Sequence, residues 1–145
     1  MASLSEVLAD AGRRRKVVDD GVAVIEAEVA DKSGLSGMAI KAAFAMVQKV
    51  KPGFVPGTLN HLLDDFAKQI DPFWADCQAT KSDARSYFTR RGSDVANALL
   101  HITDDRAKNA SGPVRNTYDK LRPQAQKHVQ DAMPRLADLL KKHAS

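Results

Sequence analysis

Val114, Tyr118, Leu121, Ala125, Val129, Ala132, Leu136 and Leu139 follow one another mostly at steps of three and four, the spacing that lines up side chains on one face of an α-helix. No segment of useful length alternates with period two, so no half-buried strand is predicted. A chain patterned this way is confined to the all-α class, and its last segment reads as a bundle seam. Pro123 and Pro134 interrupt that segment, but they lie eleven residues apart, about three turns, which puts both on the side away from the seam. There the carbonyls freed by proline face water and the helix bends toward the core. The expectation is one long, proline-kinked C-terminal helix whose concave face buries Leu121, Val129, Leu136 and Leu139 against the third and fourth helices. Two abutting helices are the alternative.

The rest of the chain divides at its caps and breakers. Ser3 and Glu6 have capping-box spacing, and Gly12 closes a short first helix. A second, from about Arg13 to Asp31, carries Val18, Val22, Ile25 and Val29 on one stripe. Gly34 then reads as a stop and Ser36 as the next N-cap. The third helix, MAIKAAFAMVQKV, is apolar on almost every side, which predicts a central helix surrounded by neighbours. KPGFVPGT reads as a turn. The fourth helix starts at Thr58, with Leu59, Leu62, Leu63, Phe66, Ile70, Phe73, Trp74 and Cys77 on one face. At Pro72 either one helix ends and Asp71 caps another, or a continuous helix kinks. Ser82 opens a fifth helix, Gly92 and Ser93 separate it from a sixth through Val95, Leu99 and Ile102, and NASGP is the last loop. The sum is a single-domain helical bundle of about six or seven helices over residues 1–145, a length at which one core forms without staples.

The lone Cys77 has no disulfide partner within the chain, which fits a reducing compartment. The Arg13–Lys16 cluster follows a short interrupted apolar segment, the reverse of a secretory signal, and no apolar run approaches a membrane span. A cytoplasmic location without a transmembrane segment is expected. The net charge is +4, unevenly spread: no acid falls between Asp31 and Asp64, where Lys32, Lys41, Lys49 and Lys51 lie. These lysines, with Arg13, Arg14, Arg15 and Lys16 and the basic run from Arg106 to Lys127, form either a basic face for nucleic acid or another anionic ligand, or a mixed surface once the helices pack.

NHLLDDFAK and LHITDDRAK share a pattern that places His61, Asp64 and Asp65, then His101, Asp104 and Asp105, as possible metal ligands. At about 100° per residue, Leu62, Leu63, Phe66 and Ile70 lie within roughly 60° of Leu59, whereas His61, Asp64 and Asp65 centre near roughly 190°. The second copy also points away from its apolar face. A metal site inside a bundle needs ligands that converge inward, so these sets read as surface ion pairs, unless two copies meet across a homodimer. His128 and Asp131 repeat the spacing at the edge of their stripe. No metal or other cofactor is expected. GLSG, Gly34–Gly37, resembles a phosphate-clamping loop, but Met38 stands where a P-loop has lysine, and the strands of a KH module are missing. Trp74, Phe73 and Phe66 read as core rather than pocket, and Cys77 reads as a small buried hydrophobe. No Ser, His and Asp set announces a triad.

EVADKSGLSGMAIKAAF, VKPGFVP and RPQAQKHV resemble an uncharacterised family of small, all-helical bacterial proteins. The resemblance covers most of the chain; it implies a bacterial single-domain helical protein and carries over no activity or site. With no convergent catalytic set, the sequence leans away from an enzyme. It is read as a non-enzymatic binding or scaffolding protein with a protein partner or self-association. Phosphate or nucleic-acid binding is the first alternative, and a metal-dependent enzyme the second.

Overall fold

Asp10 accepts a hydrogen bond from the Arg13 backbone N–H at 2.8 Å. That cap makes Gly12 an interior residue of the second helix rather than the end of the first. The computed structural model describes residues 2–110 and 112–145; Ser111, in the expected NASGP loop, lies outside them. Among the described residues there are eight helices and no strand: α1 (Leu4–Leu8), α2 (Ala11–Asp31), α3 (Gly34–Val50), α4 (Phe54–Ala79), α5 (Ala84–Arg90), α6 (Gly92–Ala107), α7 (Gly112–Asp131) and α8 (Met133–Ala144). The all-α, single-domain expectation holds.

The core is built where the apolar stripes of α4, α5 and α8 meet, with α1 closing one side. Leu63, Ala67, Ile70, Trp74 and Cys77 of α4, Tyr87 and Phe88 of α5, and Met133, Ala137, Leu140 and Ala144 of α8 are all buried in one cluster with Leu4, Val7 and Leu8. Trp74, at 4% exposure, and Cys77, at 2%, are core residues as their spacing predicts. The Cys77 thiol is 3.5 Å from the Ser82 carbonyl oxygen, and burial pushes its pKa up. Pro72 does not break α4, which runs unbroken from Phe54 to Ala79.

Three expectations need correcting. The C-terminal segment is two helices that part at Ala132, not one kinked helix. Pro123 is accommodated inside α7, but Pro134 stands in the first turn of α8, where its missing N–H would have had no partner in any case. The break turns α8 so that Met133, Ala137, Leu140 and Ala144 become its inner face, packed mainly on α5. Leu121, Val129, Leu136 and Leu139 are only half-buried. Helix α4 begins at Phe54 rather than Thr58. Lys51, Pro52 and Gly53, the last at φ +78°, make the turn, and Pro56 falls in the first turn, where proline removes no helical hydrogen bond. Finally, α3 is peripheral. Its only fully buried residue is Gly37.

Candidate interaction face and apolar cavity

Helix α3 joins α2 through a tight corner. A side chain on Gly37 would place Cβ 2.6 Å from the Lys32 carbonyl carbon, so the α2–α3 corner closes only with glycine there. Gly34, at φ +71°, makes the same turn with Ser33 at the N-cap. Both glycines of GLSG thus serve chain reversal. Ile40, Ala43, Phe44 and Val47 turn inward and are half-buried, whereas Leu35 is 88%, Met38 68%, Met46 44% and Val50 60% exposed. At helical spacing these four share one face, with Ala42 and Lys49 between them. An unbroken apolar character, read as the mark of a surrounded helix, here leaves a large apolar stripe open to water.

The basic residues singled out in the sequence have different fates. Arg13 donates to the His143 carbonyl oxygen at 3.1 Å. Arg14 is committed to α4 through Asp64 at 2.7 Å and Asn60 at 2.9 Å, while Arg15 and Lys16 are exposed. Lys32 is held by Glu28 at 3.1 Å and Asp131 at 3.5 Å. Lysine ion pairs among the described residues are those of Lys32, Lys108 and Lys142, so exposed Lys41, Lys49 and Lys51 have none. Two of these lie along α3 and the third caps it, Lys51 sitting 5.9 Å from the Phe54 ring centre.

The HxxDD sets are spent on ion pairs. Asp64 binds Arg14, Asp65 binds Arg106 at 3.3 Å, and Asp105 binds Lys108 at 3.4 Å. His61 and His101 are exposed. Asp104 turns sideways rather than outward and joins α6 to α7: it accepts from Tyr118 at 2.5 Å and from Arg122 at 2.8 and 3.1 Å. The Arg122 guanidinium holds its carboxyl below the usual range. No group of three or more His, Cys, Asp or Glu side chains converges among the described residues.

Sequence spacing does not reveal the pairing of Ser36 Oγ with His128 Nε2 at 2.8 Å, across 92 residues. It has the look of a nucleophile and its base, yet His128 Nδ1 is buried without a partner, and Asp131 is engaged with Lys32 instead of orienting the ring. The pair therefore lacks the third group that would orient the imidazole as a base. Burial also pushes the imidazole pKa down.

An apolar cavity of about 260 Å³ lies between α2, α4, α6 and α8. Val17, Val24, Ile25, Leu59, Phe66, Leu99 and Leu136 are among its walls, and Thr103 is its only polar side chain among the described residues. Next to it is a more polar cleft of about 380 Å³, lined by Lys51, Phe54, Thr58, Leu62, Arg106 and Tyr118 and sharing Thr103 with the cavity. No helix among the described residues is long and apolar enough to cross a membrane. A family model described as a family of unknown function (DUF6918) matches residues 4–144. No curated protein and no solved structure matches the chain.

Proposed function

We propose, for a chain that belongs to this family of unknown function, that it is a non-enzymatic binding protein that uses α3 to dock an acidic, amphipathic segment of a partner protein. The exposed stripe of Leu35, Met38, Met46 and Val50 carries the reading. Large apolar residues exposed together on one helix face mark an interaction site, and methionines repack readily against different partners. Charge selects the partner. Lys41 borders the stripe, Lys49 lies within it, and no acid falls from Lys32 to Leu63. Two copies set face to face would bring lysine against lysine, whereas an acidic helix satisfies both the stripe and its rim.

The test is a photoreactive residue placed at Met38 in cells, with exposed Thr89 on α5 as the control. Adducts from Met38 alone, to an acid-rich protein that no longer binds when Met38→Glu is introduced, are the expected result. Equal adducts from both positions would overturn it. The lysines also favour a second reading, in which Lys41, Lys49 and Lys51 contact phosphate or nucleic acid. Such binding would weaken steeply between low and moderate salt, while apolar docking would not.

A further inference from the structure

We propose that the apolar cavity takes the alkyl tail of a medium-chain carboxylate, with the carboxylate seated in the cleft beside Lys51 and Arg106. The inference is independent of the α3 stripe, since none of its four large apolar residues lines the cavity. Charge divides the two spaces. The apolar one offers no unmet hydrogen bond: the Thr103 hydroxyl lies 3.0 Å from the Leu100 carbonyl oxygen, to which it can donate, and 2.8 Å from the Tyr118 hydroxyl. Tyr118 in turn donates to Asp104. A polar guest would leave its own groups unpaired there, so the cavity selects hydrocarbon.

The cleft is also largely apolar, but it carries two cations, Lys51 and Arg106. Lys51 has no carboxylate partner among the described residues, and the single partner of Arg106, Asp65, forms a solvent-exposed pair, which is easily exchanged. Two cations in a cleft that shares a wall residue with a hydrocarbon cavity fit an anionic head on an apolar tail. Size sets the tail. An apolar cavity of roughly 150 Å³ takes one six-carbon ring, so about 260 Å³ takes a single chain of about ten carbons, too little for a two-chain lipid. Thr103 borders both spaces, so the proposed pose lays the chain across it, tail in the cavity and head in the cleft.

Calorimetric titration of the full chain, stripped of lipid, would use decanoate, hexanoate and decyltrimethylammonium below their micelle concentrations. Each buried methylene contributes about a fourfold gain in affinity, so decanoate should bind on the order of 100-fold more tightly than hexanoate. It should also bind at least about tenfold more tightly than the cation of equal tail. Leu99→Trp, which fills the cavity, should abolish binding without lowering the melting temperature. Lys51→Glu should reverse the preference for the anionic head. Affinity independent of chain length, equal binding of the two ten-carbon heads, or undiminished binding by folded Leu99→Trp would each overturn the proposal. Co-sedimentation with phosphatidylglycerol vesicles that decanoate does not displace would also overturn it, by pointing to a membrane lipid instead of a free acid.

Discussion

The carboxylate of Asp71, in the middle of α4, accepts the Leu4 backbone N–H at 2.7 Å and the Ser5 hydroxyl at 2.5 Å, and so caps α1 from 67 residues away. A five-residue helix cannot nucleate alone. It forms here because Ser3 holds the Glu6 N–H locally, Asp71 holds the next free donors, and Leu4, Val7 and Leu8 are buried.

Removing that cap should show. Asp71→Ala is expected to lower unfolding free energy by about 1–2 kcal/mol, as loss of a helix N-cap does, and Asp71→Asn by less because an acceptor remains. Urea titrations of the two variants against wild type measure both.

The division at Ala132 predicts which leucine of α8 matters. Leu140 is fully buried, so Leu140→Ala should cost about 2–5 kcal/mol. Leu136 is half-buried and borders a cavity already present, so Leu136→Ala should cost clearly less. The single continuous seam, which runs through Leu136 and Leu139, would make Leu136 the costlier of the two, and thermal melts of the pair distinguish these outcomes.

Both tyrosines of the chain are bonded to carboxylates, Tyr87 fully buried and Tyr118 half-buried. Tyr87 donates to Asp76 at 2.6 Å and Tyr118 to Asp104, and desolvation followed by the carboxylate hydrogen bond pushes each phenol up to about 12. An unfolded tyrosine ionises near roughly 10. The raised folded value means that the stabilisation is fully present below about pH 10 and is lost as pH rises toward about 12. Tyrosinate absorbance should therefore rise near pH 12 in the native protein and near pH 10 in denaturant. A native transition at 10 for either residue would contradict its placement.

Two glycines should respond in opposite senses. Gly37→Ala drives Cβ into the Lys32 backbone and should destabilise, because the opposing atom is main chain and cannot swing aside. Gly57, in the first turn of α4, has no neighbouring atom within 4 Å of the place a Cβ would take. Gly57→Ala should stabilise by about 0.5–1 kcal/mol through helix propensity. Differential scanning calorimetry reads both shifts.

Periodicity carried the fold a long way: the inward face of α4, from Leu62 to Cys77, was legible because burial imposes a repeat that local sequence records. What failed were questions of context. Apolar residues all round α3 state only that each side tolerates hydrocarbon, not that each side has a neighbour. Prolines at 56 and 134 resemble breakers until the register shows that each stands in a first turn. The long-range links, Asp71 to Leu4 and Ser36 to His128, join elements whose proximity is set by packing, and no spacing along the chain encodes it. The cavity was equally invisible, because its walls are the same residue types that fill a solid core.

The sealing of Cys77 has a practical consequence for spectroscopy. With the only native thiol at 2% exposure and its pKa raised, the folded surface is blank to maleimides and to methanethiosulfonate spin labels. A cysteine placed at Met38 or Thr58 would therefore carry a probe at one address without a cysteine-free background. The distance between α3 and the cleft could then be followed in the native sequence, with every other side chain unchanged.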